Sequence, residues 1–106
     1  MPAQMNLVEI LLPVRDNAGA AFPKSSFELV KNELTGRFWG SDRLTRSPAD
    51  GFWQDKSGAT HAEDVIALEV MAESVDEGWW EDFRNRLETL FAQEEIVIRA
   101  HAIQRL

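Results

Sequence analysis

Apolar and polar residues alternate along this chain in two rhythms, one near two residues and one near three and a half. Residues 6–14, NLVEILLPV, read as a strand whose pairing Pro13 weakens near its end. RDNAGAAFPKSS follows and is full of turn residues. Ser25 and Glu28 then have the spacing of a capping box, in which each side chain satisfies an orphan backbone N–H at a helix start. Phe27, Val30, Leu34 and Phe38 recur at three- and four-residue steps and form one apolar stripe, with Gly40 as the stop. SDRLTRSP predicts a more polar second strand, and Pro48 marks either an edge strand or that strand's end. Residues 63–72, EDVIALEVMA, are the third and most apolar strand. Ser74 and Glu77 make a second capping box and open SVDEGWWEDFRNRLETLFAQ. Trp79, Trp80, Phe83, Leu87, Leu90 and Phe91 fall within an arc of about 120° on its helical wheel. EEIVIRAHAIQRL closes the chain as a fourth strand.

This β-α-β-β-α-β order predicts one α+β domain over residues 1–106, a ferredoxin-like sandwich. With right-handed crossovers, its four-stranded antiparallel sheet has the order 4-1-3-2 and carries both helices on one face. Side chains alternate along a strand, so each strand divides into two sets. Val8, Ile10 and Leu12, Ile66, Leu68 and Val70, and Ile96, Ile98 and Ala100 are purely apolar and are expected to face the helices. The opposite face then carries Glu9, Glu69, Arg99 and His101 among Leu7, Leu11, Val65, Met71, Val97 and Ile103. That face is too apolar to be left in water, and the simplest cover is a second copy, sheet against sheet about a twofold axis.

The four polar residues admit two readings. They are cross-strand ion pairs that fix register and the homodimer, or they line a pocket between two sheets. In the pocket, Glu69 or His101 is the general base and Arg99 holds a small anionic ligand. Phe52 and Trp53 sit among turn-formers in SPADGFWQDKSG, as though the second strand ran through a bulge into its hairpin. They are a structural shoulder, or Trp53 is a pocket lid with Arg43 and Arg46 upstream to meet an anion. The GWW of residues 78–80 is a core feature or a stacking surface, and its place on the apolar helix arc favours the core.

The 106 residues include 18 acidic and 11 basic ones, for a formal net charge of −7. No basic stripe offers itself to phosphates, which argues against a nucleic-acid partner, and the same charge disfavours an anionic membrane surface. No apolar run is long enough to span a bilayer, and MPAQMNLVEILLPVRD lacks the basic start of a signal peptide. Without cysteine, there is no disulfide, thiolate metal site or Cys nucleophile, as suits a cytoplasmic protein. His61 near Glu63 and Asp64 has no recognised ligand spacing, so no metal is expected, and no glycine pattern implies a phosphate-bearing cofactor.

The run FELVKNELTGRFWGSDRLTRSPADGFWQDKSG resembles a pattern in a family of small uncharacterised bacterial proteins. In that pattern a helix ends in Phe-Gly-Gly, and a Thr, a Gly-x-Trp and an acidic turn follow. EVMAESVDEGWWEDFRNRLETLFAQEEIVIRA resembles the rest of it. The resemblance implies a ferredoxin-like fold akin to the dimeric α/β barrels and brings no activity with it. Trp39 stands where that pattern has glycine, and Gly36 interrupts the last turn of the helix. The functional expectation is a homodimeric ligand-binding or interaction module. The alternative is a cofactor-free enzyme of the dimeric α/β-barrel type, acting on a small organic acid by proton transfer. Glu9, Glu69, Arg99, His101, Trp53 and Arg46 are the candidate ligand-binding residues.

Overall fold

The computed structural model describes the backbone of residues 3–38, 44–54 and 60–106, and the side chains of residues 4–38 and 65–106. Six elements follow one another: β1 (Ala3–Pro13), α1 (Lys24–Phe38), β2 (Leu44–Gln54), β3 (Thr60–Ala72), α2 (Glu77–Leu90) and β4 (Ile98–Arg105). The strands pair antiparallel in the order β2-β3-β1-β4.

The expected sandwich, with both helices across one face of a four-stranded sheet, is corrected by where the core lies. Among the described side chains, the helices cover a three-stranded layer, β3-β1-β4. Val8, Ile10 and Leu12 of β1 and Ile66, Leu68 and Val70 of β3 pack against Val30 and Leu34 of α1 and Trp80, Phe83 and Leu87 of α2. From the last strand only Ile98, with Ile96 just before it, joins them. β2 enters through its backbone, paired with β3 from Leu44↔Val70 to Gln54↔Thr60. The α+β class stands, with β1 as the central strand.

Boundaries shift for identifiable reasons. The β2–β3 ladder has no bulge: the register advances one residue at a time through Ser47, Asp50, Phe52 and Trp53. The turn-forming residues there are overruled by pairing along the length of β3. Pro48 is tolerated because β2 is an edge strand, where a missing N–H need not break the ladder. Ser25 lies inside α1, so it is not its cap, and the Pro23 carbonyl accepts from Ser26 N at 3.0 Å at the helix entry.

Ser74 does not cap α2 either. β3 remains paired with β1 as far as Ala72, which leaves residues 73–76 to make the turn. Asp76 takes the cap position with extended backbone and accepts from Trp79 N through Oδ1 at 3.1 Å. At the far end, Ala92 N donates to the Thr89 carbonyl and Gln93 N to the Glu88 carbonyl, the pattern of a Schellman motif. Ala92 therefore occupies the left-handed region, at φ 49°. This turn, with Glu88 Oε2 accepting from Ile96 N at 2.9 Å, delays β4 until Ile98.

Two outcomes follow for urea denaturation. Asp76→Ala should cost about 1 kcal/mol, the usual value of an N-cap, whereas Ser74→Ala should stay within about 0.5 kcal/mol of the parent. Ala92→Gly should stabilise the protein by about 1 kcal/mol, because the left-handed conformation burdens every residue with a Cβ.

Candidate functional site on the sheet face opposite the helices

Three strands bring the polar residues of this face together. In the β1–β3 register Glu9 lies opposite Glu69, and in the β1–β4 register Glu9 lies opposite Arg99. One row across the sheet therefore reads Glu69–Glu9–Arg99. The next row reads Met71–Leu7–His101.

Glu9 is the centre of the cluster, its side chain only 17% exposed. Arg99 donates from Nε and Nη2 to the same Glu9 oxygen, Oε2, at 3.0 and 2.9 Å. The fork is thus spent on one oxygen and does not span both. His101 Nδ1 lies 3.9 Å from Glu9 Oε1, too far for a hydrogen bond. The Arg99 and His101 side chains are 62% and 54% exposed. Glu69 is half-buried and makes no ion pair or side-chain hydrogen bond to any of the described residues.

This balance decides what the cluster attracts. Among the described residues, two carboxylates share one guanidinium, and that guanidinium already faces Glu9. Like charges directly opposite on neighbouring strands destabilise the pair. A cationic group arriving at Glu69 is therefore favoured over an anion arriving at Arg99. The apolar residues around the cluster, Leu7, Leu11, Met71 and Ile103, are half-buried, Val65 and Ala67 are buried, and Val97 is 44% exposed.

The remaining candidates are placed by backbone register alone. Arg46 pairs with Leu68 and Trp53 with His61. Their side chains, with those of Phe52 and His61, lie outside the described residues, and Trp39, Gly40 and Arg43 lie outside them altogether. Among the described residues, no three His, Cys, Asp or Glu side chains are close enough to hold a metal ion. No helix among them is long and apolar enough to cross a membrane.

Two open clefts lie elsewhere. One, of about 430 Å³, is lined by Arg37, Phe38, Glu73, Asp76, Trp79 and Trp80. There Arg37 lies 5.3 Å from the Trp79 ring centre and 3.7 Å from Asp76 Oδ2. Sequence reasoning missed this corner, because it is assembled from the end of α1 and the start of α2; GWW is its only local signal. Trp80 is buried and Trp79 is stacked on Phe83, so both serve the core while one edge of the pair faces the cleft. The other cleft, of about 390 Å³, runs between α2 and β4 past Val75, Arg84 and Ile98.

Solved structures share this architecture. A phage SAM lyase in complex with S-methyl-5'-thioadenosine is similar with a TM-score of 0.64 and 11% identity, over 94% of this chain and 89% of that one. The periplasmic divalent cation tolerance protein CutA from Archaeoglobus fulgidus is similar with a TM-score of 0.62 and 16% identity, over 96% and 86%. CutA from Pyrococcus horikoshii gives 0.58 and 16%, over 96% and 87%. No family model matches the sequence, and no curated protein matches it significantly. At these identities the likeness is one of fold: the chain is a small α+β protein built like these, and its own residues must carry any statement about its site.

The two glutamates should respond oppositely to neutralisation. In protein dilute enough to be single chains, Glu69→Gln should raise stability by about 0.2–1 kcal/mol, by removing a like-charge pair. Glu9→Gln should lower it by a similar amount, by depriving Arg99 of its partner. Fluorescence-detected thermal melts of the two variants check both signs.

Proposed function

We propose that the chain is a self-associating interaction module, in which two copies stack sheet on sheet through the face bearing Glu9, Glu69, Arg99 and His101. The observation that carries this reading is the one-sided cover of the sheet. Both helices pack on the Val8, Ile10 and Leu12 side of β1. Leu7 and Leu11 on the other side are half-buried and lie outside that core. Sheet faces meant for water alternate cleanly to polar residues, and this one does not. The proposed compartment is the cytoplasm, in line with a chain that has no cysteine.

A second reading has a specific observation in its favour. Glu69 is a half-buried carboxylate with no partner among the described residues, the kind of group a proton-transfer enzyme uses as a base. In that reading the stacked sheets enclose a pocket for a small organic acid, Glu69 or His101 takes the proton, and Arg99 orients the anion. The names of the similar structures bring a nucleoside thioether and divalent cations into view as further ligand classes. The local excess of carboxylate supports the interaction module over an anion site.

Sedimentation velocity tests the proposal. At about 100 μM, where even a weak interface associates, the parent protein should sediment as two subunits. Leu11→Lys should sediment as a single chain with an unchanged far-ultraviolet circular dichroism spectrum. A parent protein that sediments as one chain contradicts the proposal.

A further inference from the structure

The sheet registers say how two such faces can meet. Three successive rows cross the face: Met71–Leu7–His101, Glu69–Glu9–Arg99 and Ala67–Leu11–Val97. β1 is the middle member of each row, β3 lies to one side and β4 to the other. For stacked sheets with aligned strands, the twofold axis between them runs close to the rows or close to the strands. An axis along the charged row sets Arg99 over Arg99 and Glu69 over Glu69, a stack of like charges. An axis along β1 keeps each row at its own level and exchanges the β3 and β4 sides.

From this we infer that, resting on the dimer proposed above, each Glu69 receives the partner's Arg99 across a twofold axis that runs along β1. The pairing occurs twice by symmetry. It supplies a cation that Glu69 lacks among the described residues. It also employs donors that Arg99 has to spare, since a guanidinium carries five N–H groups and Glu9 takes only two. Stacked sheets lie about 10 Å apart, a gap that an arginine and a glutamate reach across together. The same axis places the exposed Val97 over the small Ala67, sets His101 over Met71, and packs Leu7 and Leu11 against their own copies. Large meets small where Val97 lies over Ala67, and apolar meets apolar on the axis at Leu7 and Leu11. Glu9 meets its own copy on the axis, each carboxylate already neutralised by Arg99 of its own chain.

A charge exchange tests the pairing. Residues 69 and 99 both flank Glu9, so the double variant E69R/R99E still gives Glu9 an opposite charge within the chain and reverses the pair between chains. The single variants E69R and R99E should each weaken dimerisation by about tenfold, since each sets like charges against each other twice. The double variant should return to within about threefold of the parent. Thermal melts at high dilution confirm that all three chains are folded. A double variant as weak as the worse single one overturns the pairing. So does a parent dimer that Leu11→Lys dissociates but that neither single charge variant weakens; that result leaves the sheet-on-sheet reading standing. A parent protein that never dimerises overturns both.

Discussion

The alternation of β1 is the constraint on which the rest depends. It is the central strand, hydrogen-bonded to β3 on one side and β4 on the other, so its register fixes both neighbours. Val8, Ile10 and Leu12 are sealed under the helices at 1% exposure or less. A slip of one residue would send all three to the opposite face and bring Leu7, Glu9 and Leu11 into the core. Burying Glu9 there without its partner would be costly. Packing on the helix side therefore dictates that Glu9 points the other way, with Glu69 on one flank and Arg99 on the other. The charged row is a consequence of core formation, whatever use is made of it.

How much of this was legible in the sequence depends on whether the deciding forces are local. The face assignments of β1, β3 and the start of β4 could be read from alternation, because burial acts on every second residue. The helix stripes were legible for the same reason, and Val30, Leu34, Trp80, Phe83 and Leu87 are all in the core. Leu90 shares their arc yet is 40% exposed, as the last residue of α2. The residues of segment 47–54 favour turns individually and so suggest a bulge, whereas pairing with β3 holds them extended. The cap at Asp76 was hidden by a competing Ser74 of equal capping strength; only the length of β3 chooses between them. Arg99 and Glu9 could be paired from strand parity. That Glu69 has no ion pair among the described residues could not, because it depends on which glutamate Arg99 selects.

The similarity to proteins with different named roles, a lyase and a cation tolerance protein, fits an architecture that hosts many functions on one frame. Distinction comes from the surface that the frame leaves uncovered. Here that surface is an apolar field crossed by one charged row. Two copies of a chain with formal net charge −7 repel at long range, and salt screens that repulsion beyond about 8 Å. In the proposed dimer, association rests on what happens in contact: apolar burial around β1, and opposite charges that meet in register.

Native mass spectrometry of the freshly purified protein tests the central claim, that a second copy covers the open face, most directly. It counts subunits and retains any small molecule carried with them. The predicted result is an ion of twice the 12.0 kDa chain with no added mass. A spectrum containing only single chains would contradict the account.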